Sequence, residues 1–181
     1  MKNEEFEIIR RILGGETQEY KKLVHNYQAA VYNVLYQMLH QHTEAEELAQ
    51  DVFVKAYEKL ATFNFQSRFF SWIFRIAINT AITHQKKAQR FLQLERLPED
   101  IDHNAGNNEQ QMMDKERDVI LKKAILRLKE TYRAVIVLHY FEQLSYAEIA
   151  EVLELPEKKV KSRLYDGRKL LKSMLEKQDF F

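Results

Sequence analysis

The sequence predicts an all-α protein of two small helical domains joined by a flexible linker. Strong helix formers dominate a chain of 181 residues that holds only 4 Gly and 2 Pro. Apolar residues recur at helical spacing in both halves. Between about Phe91 and Asp114 that spacing lapses, and Pro98, Asp100, Asp102, Asn104, Gly106, Asn107 and Asn108 accumulate. Residues 1–90 and 116–181 are therefore read as domains and 91–115 as an acidic linker.

The elements follow in order. A first short helix has Asn3 as its N-cap, apolar Phe6, Ile9, Ile12 and Leu13, and a stop at Gly14-Gly15. A second runs to about Leu39 on a stripe of Tyr20, Leu23, Val24, Tyr27, Val31, Val34, Leu35 and Met38. Thr43 with Glu46 reads as a capping box for a third, whose inner face is Ala45, Leu48, Ala49, Val52, Phe53, Ala56 and Leu60. A fourth carries Phe69, Trp72, Ile73, Ile76 and Ala77 inward. Its other side sets Arg75, Asn79, Thr83, Lys86 and Arg90 on one line. Such a line can read bases and hold phosphates, and a solvated helix face carries the same pattern. Beyond the linker, periodicity resumes with Val119, Ile120, Ala124, Ile125 and Leu128, then with Tyr132, Val135, Ile136, His139 and Tyr140, and four short helices are expected.

The last two of these form a helix-turn-helix. Ser145 and Glu148 make a capping box for a helix that turns Ile149, Ala150 and Leu153 inward. After Glu154-Leu155, Pro156 suits the first position of the next helix, where a missing N–H costs nothing. Val160, Leu164 and Leu171 anchor that helix. Lys158, Lys159, Lys161, Ser162, Arg163, Tyr165 and Arg168 remain outside, a set fitted to phosphates and to base edges in the major groove. The formal net charge is only +1, yet Pro156–Lys172 holds seven Lys/Arg against Glu157 and Asp166.

Other function classes are disfavoured. No Cys is present, so disulfides, a thiolate metal site and a cysteine nucleophile are excluded. The start lacks the order of a signal peptide, and no apolar run approaches the roughly 18 residues of a membrane span. A soluble, cytoplasmic protein without membrane insertion is expected. His40-x-His42 with Glu44, Glu46 and Glu47 sits at a turn between helices and reads as solvated rather than metal-binding, and His25, His84 and His103 form no motif. His139, near an apolar face, reads as a satisfied, partly buried side chain. No glycine-rich phosphate loop exists. No catalytic residue, metal or cofactor is expected.

Leu144-Ser145-Tyr146-Ala147-Glu148-Ile149-Ala150 and Val160-Lys161-Ser162-Arg163-Leu164 resemble region 4 of bacterial extracytoplasmic-function sigma factors. Ala45-Glu46-Glu47-Leu48-Ala49-Gln50-Asp51-Val52-Phe53 resembles the family's region 2.2, and Phe69-x-Ser71-Trp72-Ile73-x-Arg75-Ile76-Ala77-x-Asn79 resembles regions 2.3 and 2.4. The resemblance implies docking on the β′ clamp helices of core RNA polymerase through Glu47, Gln50 and Asp51. It implies minus-ten recognition by the loop Phe63, Asn64, Phe65, Gln66, Ser67 and Arg68 and by Arg75, Asn79, Thr83, Lys86 and Lys87. Minus-thirty-five recognition falls to Ser145, Lys158, Lys159, Lys161, Ser162, Arg163, Tyr165 and Arg168, with a further contact to the β flap. The linker would thread the RNA exit channel. Promoter DNA and an anti-sigma factor are the other implied partners. The alternative is a sigma-like mimic that occupies an anti-sigma factor without directing transcription; such mimics usually carry a receiver domain and lack a basic recognition helix.

The chain departs from the family at Thr83 (usually Asp), Lys129 (Pro), Gln143 and Glu154 (Gly), and Lys158-Lys159 (commonly Gly-Thr). A left-handed backbone at Glu154 would be costly for a side chain with a Cβ. Asp166, where Arg is common, would repel phosphate unless it accepts from a cytosine amino group, caps a neighbouring Arg or points away.

Overall fold

The structure, a computed structural model, describes residues 2–94 and 109–176, with side chains from 4–88 and 117–176. All regular structure among these residues is helical: α1 (Lys2–Leu13), α2 (Tyr20–Leu39), α3 (His42–Glu58), α4 (Phe69–Leu94), α5 (Glu109–Arg127), α6 (Glu130–Ile136), α7 (Tyr146–Leu153) and α8 (Glu157–Glu176), with short 3-10 turns at Thr17–Glu19 and Leu60–Thr62. A π-helical turn, Val137–Phe141, continues α6.

The first four helices bundle as their apolar periods require. Leu23, Val31, Val34, Leu35 and Met38 of α2 meet Ala45, Val52 and Ala56 of α3 and Phe69, Ile73 and Ala77 of α4, all fully buried. On α1 the inner face is Ile8, Ile9 and Ile12, whereas Leu13 is 45% exposed; Phe6 instead packs edge-on against Phe63 and Phe65 at 5.7 and 5.4 Å. Gly14 and Gly15 do end α1, with Gly15 at φ 106. Two expected caps are replaced. Asn3 lies inside α1, which starts at Lys2, and Thr43 lies inside α3, whose N-cap is Gln41 without a side-chain bond. His42 opens α3 because its ring is already held, hydrogen-bonded to the Tyr32 hydroxyl at 2.7 Å and stacked on Tyr36.

In the second domain α5 and α8 are long, not short, at 19 and 20 residues. Residues 95–108, the middle of the expected linker, lie outside the described residues. Helix enters both ends of the 91–115 range, since α4 reaches Leu94 and α5 begins at Glu109; Gln, Met, Glu and Lys there favour helix without an apolar period to reveal it. Pro156 precedes α8 rather than opening it, and its carbonyl accepts from the Lys159 and Val160 amides at 2.8 and 3.2 Å. Gly167 lies where α8 crosses α6, and a Cβ there would sit 3.3 Å from Ile136 Cγ1, tight enough that the Ile136 side chain would have to yield by a few tenths of an ångström.

One apolar core runs through both domains. Ile78 is buried although the sequence period left it off the inner face of α4, because α6 and α7 pack on that side. A buried guanidinium ties the seam. Arg133, 4% exposed, donates from Nε to the Ile125 carbonyl at 3.1 Å and from Nη2 to those of Leu126 and Leu128, the latter at 3.0 Å. Its Nη1 crosses to the Met38 carbonyl of α2 at 3.0 Å, which also accepts from Gln85 Nε2 at 2.8 Å. Burial disfavours the Arg133 charge, and four carbonyl acceptors offset that cost. No described helix is long and apolar enough to cross a membrane.

Candidate docking and nucleic-acid surfaces

Three surfaces carry the residues singled out from the sequence. On α3, Glu47, Gln50 and Asp51 are all exposed, as their positions opposite Ala45, Leu48 and Val52 dictate. Gln50 edges a groove of about 680 Å³ whose other wall is Val24, Gln28, Ala29 and Tyr32 of α2. Sequence reasoning missed that wall. Its signal was the pair of small residues, Ala29 and Ala49, which leaves a trough between two helices.

The loop before α4 is divided. Phe63 is 3% exposed and belongs to the core, in edge contact with Phe65, Phe69 and Trp72, so its ring supports the loop from beneath and is not open to a base. Phe65 stands at φ 60, half-buried, with the Arg10 guanidinium 5.4 Å from its ring centre. Asn64 bends the loop by accepting the Gln66 amide at 3.1 Å, and Gln66 is exposed. Ser67 is half-buried.

Arg68 and Arg75 face the second domain, not solvent alone. Arg68 Nη2 donates to Glu148 Oε1 at 2.6 Å, and its backbone N–H donates to Glu151 Oε1 at 3.1 Å. Arg75 donates from Nε to the Val152 carbonyl at 3.2 Å, from Nη2 to the Glu151 carbonyl at 3.0 Å and from Nη1 to the Glu154 carboxylate. Further along α4, Asn79, Thr83, Lys86 and Lys87 are exposed, with the Thr83 hydroxyl donating back to the Asn79 carbonyl at 2.8 Å. Asn79 and Arg75 line a cavity of about 300 Å³ at the seam, which Arg163 of α8 also reaches. The interdomain ion pairs had no sequence signal, because the partners are 79 and 80 residues apart.

The helix-turn-helix forms as read. Ser145 is the N-cap of α7 in a full capping box: its hydroxyl accepts the Glu148 amide, and the Glu148 side chain accepts the Ser145 amide. The Arg68 hydrogen bond, then those from Ser145, hold the Glu148 carboxyl down to about 2. Gln143 and Glu154 take the left-handed backbone at φ 54 and φ 51, as the turns demand despite their side chains. His139 is half-buried and satisfied, as expected, its Nδ1 donating to the Leu144 carbonyl at 3.0 Å. Val160 and Leu164 are buried, and Lys158, Lys159, Lys161, Ser162, Tyr165 and Arg168 project outward, Tyr165 at 63% exposure. Lys161 pairs with Glu157 at 2.8 Å and lies 5.6 Å from the Tyr146 ring centre. Arg163 and Asp166 are half-buried. No group of three metal-ligating side chains converges among the described residues.

Comparison with known proteins agrees with this arrangement. The sequence model "Sigma-70 region 2" matches residues 23–91, and "Sigma-70, region 4" matches 118–171. The chain is 31% identical to the ECF RNA polymerase sigma factor SigW of Bacillus subtilis over 92% of this chain and 94% of that one. It is 30% identical to the RNA polymerase sigma-H factor of Pseudomonas aeruginosa over 94% and 93%. Among solved structures, CnrH in complex with the cytosolic domain of CnrY superposes with a TM-score of 0.66 at 22% identity, covering 93% of this chain and 95% of the other. The sigma factor RpoE in complex with the anti-sigma factor NepR from Bartonella quintana superposes with 0.65 at 24%, covering 88% and 98%. These two share the fold.

Proposed function

This chain belongs to the extracytoplasmic-function RNA polymerase sigma factors, and on that footing we propose that it binds core RNA polymerase and directs it to a distinct class of promoters. One observation supports the reading above the others: a single chain carries both an exposed polar face and groove on α3 and a basic recognition helix, α8, behind a fully capped α7. A stand-alone DNA-binding regulator has no use for the first. A mimic that only occupies an anti-sigma factor has no use for the second.

The roles divide by surface. Residues 1–90 take polymerase through Glu47, Gln50 and Asp51 against the β′ clamp helices, and the α4 face with Arg68, Arg75, Asn79, Thr83, Lys86 and Lys87 takes the minus-ten strand. Residues 116–181 take the minus-thirty-five duplex through α8 and meet the β flap. Cations satisfy the phosphates of both elements, and base edges are read by the amide, hydroxyl and guanidinium groups among them. The protein acts in the cytoplasm, needs no cofactor and holds no catalytic residue. An anti-sigma factor restrains it, as NepR accompanies RpoE in that complex.

The test pairs two variants in capture by core polymerase and in reconstituted transcription. Gln50→Ala with Asp51→Ala is expected to lower capture about tenfold or more. Lys161→Ala with Arg163→Ala is expected to leave capture intact while promoter use falls by about tenfold or more, the effect of losing a base or phosphate contact. Equal loss of capture in both pairs would contradict the assignment.

A further inference from the structure

We propose that Phe65 is a seat for one unstacked base of the minus-ten strand and that Arg10, from α1, is both its lid and its phosphate contact: the guanidinium lies on the ring while the seat is empty and passes to the backbone when a base enters. The inference rests on the assignment of the loop 63–68 to that strand under the sigma-factor reading, and it adds α1 to the site.

Phe65 is held in a strained conformation. Its φ of 60 is left-handed, a region that a residue with a Cβ avoids, so the surroundings impose it. They are identifiable. Asn64 bends the loop by accepting the Gln66 amide at 3.1 Å, and the Phe65 ring then meets Phe6 at 5.4 Å and Phe63 at 5.1 Å, both in edge contact. Phe63 is 3% exposed and anchored in the core. Phe6 and Arg10 are one turn apart on α1, so one face of that helix supplies two contacts to the ring. Phe65 itself stays half-buried, between the exposed amide side chains of Asn64 and Gln66. An aromatic ring flanked by groups that both donate to and accept from a base edge has the composition of a single-base site.

Arg10 fits the role of a lid better than that of a strut. Its side chain is 60% exposed, with the guanidinium 5.4 Å from the Phe65 ring centre and Nη1 3.4 Å from Glu7. Both contacts are weak: an exposed cation over a ring contributes less than a stacked base, and an exposed ion pair is screened. A planar guanidinium covers an aromatic face much as a base does. Exchanging it for a base keeps the ring covered and frees its N–H donors for a phosphate. Glu4, Glu5 and Glu7 lie toward the start of α1, so a phosphate backbone is drawn to the Arg10 end.

The experiment uses holoenzyme assembled from the full chain and core polymerase. The probes are single strands carrying the non-template sequence of a mapped start, with 2-aminopurine at each minus-ten position in turn. One position is expected to lose fluorescence on binding, as a stacked base does. Phe65→Leu keeps the apolar bulk and removes the π face; it should abolish that quenching at that position alone and weaken binding about tenfold. Arg10→Ala should retain the quenching, weaken binding and lower the salt dependence by about 0.7, one phosphate contact on a single strand. Arg10→Lys, which keeps the charge, should restore the salt dependence. A residue that only braced the loop would not move the salt dependence or one base position selectively. Trp72, the single Trp of the chain and 5.6 Å from Phe63, reports in the free chain whether each variant keeps the loop packed. Quenching at no position, quenching that survives Phe65→Leu, or an unchanged salt dependence in Arg10→Ala would overturn the proposal. The two readings fail separately: absence of any chain-dependent start removes both, whereas starts that ignore both variants leave the sigma-factor reading standing and remove this inference alone.

Discussion

Two helices carry the cations assigned to promoter DNA, and the fold gives them opposite surroundings. On α8, Lys158, Lys159 and Arg168 stand in solvent on a helix held from behind by Val160 and Leu164. On α4, Arg75 is held by two carbonyls of α7 and by the Glu154 carboxylate just beyond it, and the adjoining Arg68 by the carboxylates of Glu148 and Glu151. The difference teaches that a polar stripe on an amphipathic helix is a statement about what the core rejects, not about what the stripe meets. In α8 it meets water at Lys158, Lys159 and Arg168, while Arg163 turns toward the seam. In α4 its first turns meet another domain, and the exposed polar residues described further along are Asn79, Thr83, Lys86 and Lys87.

The largest effect on this contrast is expected from removing the buried strut beneath it. Arg133→Met takes a donor from the Ile125, Leu126, Leu128 and Met38 carbonyls, of which Ile125 keeps the Leu128 amide and Met38 keeps Gln85. It is expected to lower stability by about 3 kcal/mol or more, read from denaturant unfolding, since each unsatisfied buried carbonyl costs on the order of 1–3 kcal/mol. Hydrogen exchange in α4 should rise in the same variant. Unchanged protection of α4 would mean that the second domain does not cover it.

Acid should loosen the same seam. His40 ends α2 in the left-handed region at φ 53, and both ring nitrogens are buried without a hydrogen-bond partner. It faces the Tyr36 ring of α2 at 5.7 Å, Lys122 of α5 and Arg133 of α6. Burial first, then the charges of Lys122 and Arg133, push its imidazole down from 6.5 to about 4. The packed form therefore holds His40 neutral. Its contribution is complete above about pH 6.5 and is lost as pH falls toward about 4. Thermal unfolding across that window checks this. His40→Asn, which tolerates the left-handed backbone, should flatten this part of the profile.

A smaller effect separates the two helices directly. In the free chain, Lys158→Ala should weaken duplex binding and reduce the salt dependence by about one counterion. Arg75→Ala should leave duplex binding unchanged, because its N–H groups are already engaged. Equal losses in salt-titrated binding would remove the distinction. The smallest effect belongs to a turn: Gln143→Gly relieves the φ of 54 and is expected to raise stability by about 1 kcal/mol without altering DNA affinity.

What could be read from the sequence follows the range of the forces involved. Local signals worked where they were strong: Gly14-Gly15 closing α1, the apolar stripe of α2, and the Ser145–Glu148 box that opens α7. They misled where a weak cap competed with packing, as at Thr43, where the ring of His42 is held by Tyr32 and Tyr36 and the N-cap falls two residues sooner, at Gln41. The site was partly legible. Exposure of Glu47, Gln50 and Asp51 and of most of α8 follows from period alone. Burial of Phe63 does not, because it depends on Phe6, Phe65, Phe69 and Trp72 converging from three separate stretches. Nor does the union of Arg75 with Glu154, which only the docking of two domains creates.

The most direct measurement is transcript-start mapping on genomic DNA with core polymerase, with and without the purified chain, beside an established sigma factor as positive control. The account predicts starts that require the chain and share one pair of upstream elements. No chain-dependent start, while the control sigma factor works in the same reaction, would contradict it.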